Sequence, residues 1–468
     1  MATYAEMERM TGPDALMLHM ERPTVPMHTL KVVVLEPGTG GQLSLADLRA
    51  AVAPYLGLVR RATQKVYAAP GCGGRPFWAP DPHFEIDDHL DEATLPTGAR
   101  AELDEVCARL AERHLDRTRP LWAMTLVHGL HGGRQAVVVR VHHAVCDGLA
   151  ALNTLLAAST EAPGQVAPMC PAEPGIAPSP GELRWRARRE APRLVSGLPA
   201  LARARRESRR GSADFDGWDA VPVGLGGVRS SFNNPGGAAR VCASGELDLA
   251  DLKRVGRATG ATVNAVLHAV IAGAMRAEYA ARGDSLSAPA VATFGVASDT
   301  ASARRWGNEI APANVYLRVD LADPEARLLA TARSCQLGVE LRRRRGFAFS
   351  DQAFTYLPRL APALRAVFAP VVPKVVNNIT TANVAGPRKQ RWFGDVAVVD
   401  WVSYAVAVAP ADVNLTAYSY DGRLVLGLVA TPEAMPDPAS FLARLRPALD
   451  ELLDVAQHHE VETEAHVA

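Results

Sequence analysis

The sequence predicts an α/β protein in which two halves of similar size each combine strands with helices. Apolar runs of strand length, at residues 30–35 and 136–141, alternate in the first 160 residues with segments of helical periodicity. A second alternation of the same kind extends from about residue 230 to residue 457. Because 468 residues exceed the length that one hydrophobic core usually organises, more than one domain is expected.

The individual elements follow from periodicity and turn chemistry. Helical spacing of apolar residues predicts helices at residues 45–55, 101–115, 261–278 and 441–456. Thr262 suits the N-cap of the third helix because its hydroxyl can accept a backbone N–H. Asp421-Gly422 between two apolar runs predicts the turn of a β-hairpin. The tail, residues 458–468, is expected to be frayed.

A connection separates the two halves. Residues 161–182 hold six prolines without periodicity, and residues 183–212 carry ten arginines interleaved with Trp185 and several leucines. The arginine-rich segment has two open interpretations: a solvated linker helix, or a basic amphipathic segment that rests on an anionic bilayer. Pro192 and Pro199 are expected to interrupt any single long helix there. The predicted division is an N-terminal subdomain (1–160), a connection (161–229), a C-terminal subdomain (230–457) and the tail (458–468).

Composition narrows the class of protein. Lysine plus arginine equals aspartate plus glutamate at 50 each, so the net charge gives no indication of nucleic-acid binding. The first residues include acids and a proline where a secretory leader needs an apolar core, and no window has the apolar length of a membrane span. Six cysteines without CxxC spacing indicate reduced thiols. We expect a cytoplasmic protein that could still contact a membrane surface.

Chemistry is concentrated in RVHHAVCDGLA, residues 140–150. The preceding apolar run predicts a buried strand, so His142 and His143 emerge where the strand ends. Adjacent residues of a strand point in opposite directions, and therefore one imidazole should pack while the other faces a cleft. Histidine is the natural general base near neutral pH. Gly148 is expected to permit a sharp turn before a helix that starts around Leu149.

Several alternatives stay open for this segment. Asp147 could fix the tautomer of the base, or it could pair with an arginine and brace the loop. We favour the bracing role. Two packed histidines beside a turn would be the simplest explanation of the pair. A zinc site and a Cys146–His143 nucleophilic pair are less favoured, because neighbouring histidines diverge and because Cys146 is poorly placed across a turn.

With this motif the chain resembles the bacterial wax ester synthase/diacylglycerol acyltransferase family of the HHxxxDG superfamily. The resemblance extends over nearly the whole length. Further matching segments are GPDALMLHMERPTVPMH from residue 12, Pro120-Leu121-Trp122, Thr262 to Leu267, Trp306-Gly307-Asn308, Ala382 to Pro387, and Val413 to Tyr420.

This resemblance implies an architecture and an activity. The fold would be two chloramphenicol-acetyltransferase-like subdomains with mixed sheets and an active-site tunnel between them. The activity would be O-acyl transfer from acyl-CoA, a co-substrate, to diacylglycerol or a long-chain alcohol, without a metal or other cofactor. A membrane or lipid-inclusion surface is a further implied partner. His143 would be the base and His142 its neighbour, and Asp147 and Gly148 would shape the loop.

The remaining candidate residues carry simpler explanations too. Asn264 lies where the family has a residue near the tunnel, although an amide there could also cap or pack. Pro120 and Trp122 are equally compatible with core packing at the start of a strand. Asn383 and Gly386 are expected to build a turn near the cleft, where backbone N–H groups could help hold an oxyanion.

Two other functions remain in competition with acyl-CoA-dependent transfer. One is a condensation enzyme of the same superfamily that takes its acyl group from a carrier protein. The other is a non-catalytic protein that binds lipid surfaces through the segment 183–212.

Overall fold

The computed structural model describes residues 7–68, 75–173, 175–222, 228–355 and 377–467. Its strands are β1 Glu8–Arg9, β2 His28–Leu35, β3 Gln64–Tyr67, β4 Phe77–Pro80, β5 Leu90–Thr94, β6 Trp122–His128, β7 Gln135–His142, β8 Val241–Asp248, β9 Ala290–Ala297, β10 Ile310–Leu317, β11 Ile379–Val384, β12 Arg391–Phe393, β13 Val396–Tyr404, β14 Val413–Tyr420 and β15 Arg423–Ala430. Its α-helices are α1 Gly12–Met20, α2 Leu45–Val52, α3 Arg100–Glu112, α4 Gly148–Ala158, α5 Pro180–Ser196, α6 Leu198–Gly211, α7 Leu249–Thr259, α8 Val263–Arg282, α9 Pro324–Arg345, α10 Pro438–Ala443 and α11 Leu445–Val467.

The first large sheet carries the histidine motif. Its strand order is β12-β13-β2-β7-β6-β5, and its pairs are antiparallel except β5 with β6. The apolar strand β7 lies inside this sheet, as its sequence predicts. Its C-terminal residue, His142, stands opposite His28 at the start of β2. The edge where β7 ends is therefore the edge from which the motif emerges.

The second large sheet has the order β10-β9-β11-β14-β15-β8 and is also mixed. The pairs β9–β11 and β11–β14 are parallel, and the others are antiparallel. Helix α8 packs its apolar residues into the core of this half. A small third sheet has the order β1-β4-β3. Two mixed sheets with helices confirm the predicted fold class.

The two halves are joined by strands and by buried polar contacts. Strands β12 and β13 come from the C-terminal part of the chain but complete the first sheet, where Trp401 pairs with Val33. A buried polar contact joins the halves as well: Asp104 of α3 accepts hydrogen bonds from the Ser244 backbone N–H of β8 at 3.0 Å and from the Tyr404 hydroxyl of β13 at 2.5 Å. The division predicted at residues 160 and 230 stays a prediction. The first sheet contains strands from both sides of that division.

Two local predictions of structure are confirmed. Thr262 caps α8, since its side chain accepts the Ala265 N–H at 3.2 Å. The hairpin of β14 and β15 turns at Asp421 and Gly422, whose φ angles of 45° and 80° are both positive. Both central residues of a tight hairpin turn need positive φ, which Asp-Gly sequences supply.

One other local prediction is confirmed in part, and one is wrong. The arginine-rich segment is not a single long helix, as predicted: it breaks at Gly197, and Pro199 occupies the first turn of α6, where a missing N–H costs nothing. Pro192, however, lies inside α5 without ending it. The tail is not frayed, because α11 continues to residue 467. His459 Nε2 lies 2.7 Å from Glu325 of α9, and Glu460 pairs with Arg254 of α7, also at 2.7 Å.

In the part of the chain that the structure describes, no single helix has both the length and the apolar character needed to cross a membrane. Helices α7 and α8 reach that length together, but the chain bends by 103° between them. Most of the apolar face of α8 is buried against the second sheet.

Candidate active site

The two adjacent histidines diverge at the end of β7. His142 is fully buried, with Nδ1 accepting the Ala144 N–H at 3.0 Å and Nε2 lying 3.6 Å from Glu21. Burial lowers the pKa of His142, although Glu21 opposes this effect. Burial also favours the neutral form of Glu21, but His142 and Arg117 together hold the pKa of that carboxyl well below its usual range. His142 is thus a packed, supporting residue.

His143 is half-buried and contacts the second half of the chain through Asn308. The backbone N–H of His143 donates to the Met27 carbonyl at 2.7 Å, which fixes the start of the loop against β2. Its ring Nδ1 lies 2.9 Å from Asn308 Oδ1. Asn308 Nδ2 donates to the carbonyl of His143 at 2.7 Å and to Asp14 Oδ1 at 2.8 Å.

These contacts determine the tautomer of His143. Asn308 Nδ2 faces two acceptors, the Asp14 carboxylate and the His143 carbonyl, so the amide cannot be turned round without losing both hydrogen bonds. Asn308 Oδ1 must then face the ring, and a hydrogen bond forms only if Nδ1 carries the proton. The Nε2 lone pair of His143 is therefore free to accept a proton, as a general base requires.

Electrostatics keep this imidazole neutral. Burial lowers the pKa of His143, with the Lys31 ammonium adding to the effect and Asp147 opposing it. Asp14, which holds the other side of Asn308, is itself buried, and burial raises its pKa to about 6 despite the hydrogen bonds from Asn308. A histidine with a lowered pKa is deprotonated at neutral pH and ready to act as a base.

Asp147 braces the loop. Its carboxylate accepts the Ala150 N–H at 2.9 Å as the N-cap of α4 and the Glu309 N–H at 3.0 Å. Arg304 pairs with it at 3.0 Å. These contacts fit the bracing interpretation, while the tautomer is held by Asn308 instead.

The loop is also bonded to residues 307–309 through the backbone. Gly307 donates its N–H to the Val145 carbonyl at 2.7 Å, and the Asp147 N–H donates to the Gly307 carbonyl at 3.2 Å. Gly307 has a φ of 82°, a conformation that side chains disfavour. His143 and the residues that orient it therefore form one unit made from both halves of the chain.

Gly148 is required for a close approach and not for a sharp turn. Its φ is not positive, and it is the first residue of α4. A Cβ added there would lie 2.7 Å from the hydroxyl oxygen of Tyr418, which donates to the Gly148 carbonyl at 3.0 Å. The prediction that Gly148 permits a sharp turn is therefore wrong. Glycine is needed because any larger residue would collide with Tyr418 of β14 in the second sheet.

Cys146 lacks the environment of a nucleophile. It is buried, and burial raises the pKa of its thiol to about 12, with the charge of Asp147 acting in the same direction. Reactive cysteines need the opposite, a lowered pKa and access to solvent. The five cysteines in the described residues are free thiols. The sixth, Cys72, lies outside the described residues.

An apolar cavity of about 460 Å³ lies on the face of the first sheet next to the motif. Alternate residues of β2 and β7 form its floor, and α2 and α4 form its sides. Val145 and Cys146, which follow His143, belong to its wall, as does Trp122. Val166 and Met169 line the cavity and are also 64% and 65% exposed, so they mark its mouth. Pockets of 300–1,000 Å³ are the usual size for small-molecule ligands.

The other predicted residues are distributed around this centre. Trp122 begins β6, stacks on His89 at 4.3 Å and donates to the Ala62 carbonyl at 2.8 Å, so it both packs and lines the cavity. Pro120 is buried just before it.

On the second half, Asn383 donates to Asn264 at 3.3 Å, and neither is hydrogen-bonded to His143. Gly386 donates its N–H to the Ser419 hydroxyl at 2.9 Å and has no room for a Cβ against the Ser419 carbonyl.

Four residues for which the sequence predicted no role lie around His142 and His143: Asp14, Glu21, Lys31 and Asn308. Asp14 and Asn308 belong to segments that carry the family resemblance, but the sequence does not show what either residue does. Lys31 offered a stronger signal, because a lysine inside the buried run HTLKVVVL breaks its apolar pattern.

Comparison with solved structures shows which known proteins share the fold. The fold is similar to the wax ester synthase/diacylglycerol acyltransferase from Marinobacter aquaeolei VT8, with a TM-score of 0.69 at 20% identity, covering 96% of this chain and 100% of that one. It is also similar to the first condensation domain of the CDA synthetase, with a TM-score of 0.58 at 16% identity and 97% of each chain covered. The chain has the two-sheet fold that these acyltransferase and condensation proteins share.

Sequence comparison identifies the family. The wax ester synthase/diacylglycerol acyltransferase catalytic domain matches residues 10–267, and the WS/DGAT C-terminal domain matches residues 306–453. A protein of Mycobacterium tuberculosis H37Rv, provisionally named a diacylglycerol O-acyltransferase, is 30% identical over 468 residues, covering 96% of this chain and 98% of the relative. A similarly named protein of Mycobacterium bovis is 31% identical, covering 96% and 91%. The chain belongs to the wax ester synthase/diacylglycerol acyltransferase family.

Proposed function

We propose that this protein transfers a long-chain fatty acyl group from acyl-CoA to the free hydroxyl of diacylglycerol, and that long-chain alcohols are a second class of acceptor. The observation that carries the proposal is the Asn308 contact, because it leaves Nε2 of a neutral His143 free to accept a proton. Membership of an acyltransferase family supports the reaction type. The choice of diacylglycerol rests on the names of the relatives.

The proposed mechanism is direct transfer with one general base. His143 Nε2 takes the hydroxyl proton of the acceptor as its oxygen attacks the thioester carbonyl. The tetrahedral intermediate collapses, the C–S bond breaks, and the imidazolium returns the proton to the departing CoA thiolate. Asn308 Oδ1 accepts the Nδ1–H throughout and stabilises the transient positive charge. No acyl-enzyme forms, in keeping with the buried, high-pKa thiol of Cys146.

The cavity supports a lipid substrate. Its wall is apolar apart from a few side chains, and it reaches the loop that carries His143. Each buried methylene contributes about 0.8 kcal/mol, so an apolar chamber of this size favours a long chain over a short one. We propose that the cavity holds the acyl chain while the thioester carbonyl lies toward His143. An apolar wall discriminates only weakly between chains that differ by one methylene, so we expect acyl groups of several neighbouring chain lengths to be transferred.

We also propose that α6 holds the protein on anionic lipid surfaces. Its Ala204 and Ser208 are buried, and it packs on α9, so the helix presents its other faces to solvent. The exposed basic residues of this helix are Arg203, Arg205, Arg206, Arg209 and Arg210. Exposed apolar side chains nearby in sequence are Trp185 of α5 and Leu198. Each surface arginine near an anionic membrane contributes about 1 kcal/mol to binding.

Product analysis tests the proposed reaction. Labelled palmitoyl-CoA is offered with diacylglycerol and hexadecanol together, and the lipids are separated by thin-layer chromatography. We expect labelled triacylglycerol as the main product and a smaller amount of wax ester. The His143→Ala variant should form neither. Transfer from a carrier-protein thioester but not from palmitoyl-CoA would contradict the proposal and favour the condensation reaction.

Vesicle flotation tests the surface proposal and the non-catalytic alternative. Because α6 packs against α9, deleting the segment would uncover a core surface, and replacing its five exposed arginines with glutamine is the cleaner change. The wild type should float with anionic vesicles at low salt, and the glutamine variant should not. Equal flotation of both proteins would refute the surface assignment. A wild type that floats but forms no labelled ester would support the lipid-binding module instead.

A further inference from the structure

The apolar cavity contains a buried cation without a carboxylate partner. Lys31 of β2 lines the cavity and is only 4% exposed. Its ammonium donates to the Ser403 hydroxyl at 2.5 Å and lies 5.3 Å from the centre of the Tyr418 ring. In the described ranges, no carboxylate lies within ion-pair distance of it. Two of its three N–H donors therefore have no hydrogen-bond acceptor in the described protein.

The surroundings of Lys31 do not neutralise it. The acidic groups that influence it are the thiol of Cys146 and the carboxylate of Asp147. Cys146 is an uncharged thiol at neutral pH, and the Asp147 carboxylate is already engaged by Arg304 and two backbone N–H groups. Burial lowers the pKa of Lys31, but only to about 8, so the side chain is mainly charged at pH 7. A charged group in an apolar cavity is costly unless an opposite charge compensates it.

The other cations on the cavity wall differ from Lys31. Arg61 is buried too, but it pairs with Glu8 at 2.7 Å and with Gln64. Arg305 is half-buried, so water can reach it. Among the described residues of the wall, Lys31 thus combines deep burial, positive charge and unused donors.

We infer that the cavity binds a free long-chain carboxylate, with the alkyl chain along its apolar wall and the carboxylate on Lys31. The carboxylate supplies the missing negative charge and accepts hydrogen bonds from the two unused N–H groups of the ammonium. The site would accept a fatty acid in its ionised form. Its location beside Val145 and Cys146 implies that a fatty acid would occupy the space proposed above for an acyl chain.

This inference concerns binding and does not require transfer. A fatty acid is the product of thioester hydrolysis, so its binding would make the enzyme sensitive to the free-acid level in competition with acyl-CoA. The competition depends on the proposed function, but the binding of a carboxylate does not. The two can therefore fail separately.

The test compares palmitate with hexadecanol, which has a chain of the same length and a neutral head. Binding to the full chain is followed by isothermal titration below the solubility limit of each ligand. Intrinsic tryptophan fluorescence is a second readout, because Trp122 lies on the cavity wall. We expect the wild type to bind palmitate at least tenfold more tightly than hexadecanol, about 1.4 kcal/mol. Lys31→Met should reduce palmitate affinity to that of hexadecanol and leave hexadecanol within twofold.

Two further variants keep the result interpretable. Lys31→Gln provides a polar replacement if the methionine variant does not fold, and thermal unfolding verifies both. Lys65→Met is the matched control: Lys65 also lies near a tyrosine ring, but it pairs with Asp81 at 2.9 Å and is not on the cavity wall. It should retain the palmitate preference.

Equal affinity of the wild type for the two ligands would overturn the inference, as would a preference that survives both Lys31 variants or disappears in Lys65→Met. A Lys31-dependent preference in a protein that forms no ester would uphold the carboxylate site and refute the transferase proposal. Ester formation without any palmitate preference would refute the carboxylate site and leave the transferase proposal standing.

Discussion

Replacing Asn308 with alanine removes three side-chain hydrogen bonds beside the proposed base. The lost bonds are those to His143 Nδ1, to the His143 carbonyl and to Asp14, at 2.9, 2.7 and 2.8 Å. At about 1 kcal/mol each, their loss should lower the free energy of unfolding by about 3 kcal/mol. The backbone N–H of Asn308 still donates to Asp14, so the loop keeps one anchor.

The effect on catalysis should be larger than the stability loss alone suggests. Without Asn308 the neutral ring of His143 can protonate either nitrogen and can rotate, so Nε2 is no longer held as the acceptor. A positioned general base is worth about 10²–10⁴-fold, and we expect kcat to fall by about a hundredfold or more. Steady-state transfer from palmitoyl-CoA measures kcat, and ¹⁵N NMR of labelled histidines reads the tautomer.

Asn153→Ala is the matched control for this experiment. Asn153 donates to the carbonyls of Ala301 and Arg304 at 3.1 and 2.8 Å, and so it braces the same loop without touching His143. It should cost about 2 kcal/mol of stability for two lost hydrogen bonds while kcat changes little. If Asn308→Ala kept kcat within threefold of the Asn153→Ala value, the assignment of Asn308 as the tautomer-fixing residue would be refuted.

Three other outcomes follow. Cys146→Ala should keep most of the transfer activity, and intact-mass analysis of the wild type during turnover should detect no acyl adduct; a trapped thioester would contradict direct transfer. Gly148→Ala places a Cβ 2.7 Å from the Tyr418 hydroxyl oxygen and should cost about 1–3 kcal/mol of stability, which chemical denaturation measures; an unchanged midpoint would disprove the close approach. Burial lowers the pKa of His28 to about 3 and that of His268 to about 4, so each histidine binds a proton more readily in the unfolded chain. As the pH drops from about 6.5 to 4, each of the two should therefore lower the free energy of unfolding by about 1.4 kcal/mol per pH unit. Asp14, whose pKa burial raises to about 6, opposes this effect with one proton below pH 6, so these three groups together leave a fall of about 1.4 kcal/mol per pH unit. An unfolding free energy that does not fall between about pH 6 and pH 4 would contradict the neutral, buried state of the two histidines.

Local patterns in the sequence were sufficient for the elements around the site. The apolar run before His142 predicted an interior strand, and the alternation of a strand predicted that one imidazole packs and the other faces a cleft. Thr262 and Asp421-Gly422 were predictable because caps and tight turns depend on neighbouring residues only. The same local rules were insufficient at Pro192, where the surrounding structure allows a helix to continue through a proline.

Long-range contacts could not be predicted in the same way. Asn308 is 165 residues from His143 in the chain, and only the folded arrangement shows that its amide, held by Asp14, selects the tautomer. Strand β13 enters the first sheet from the other half, and no local pattern indicates that crossing. Gly148 was predicted to be necessary, but for a turn and not for the approach of Tyr418, since a glycine in sequence does not reveal which neighbour requires it.

The transfer rate of a His143→Ala variant tests the central assignment most directly. Its fold is first verified by thermal unfolding, and transfer from palmitoyl-CoA to diacylglycerol is then measured beside the wild type. Loss of the general base should reduce kcat by about 10²–10⁴-fold while palmitoyl-CoA still binds. A folded variant that keeps kcat within tenfold of the wild type would contradict the role of His143 as the base.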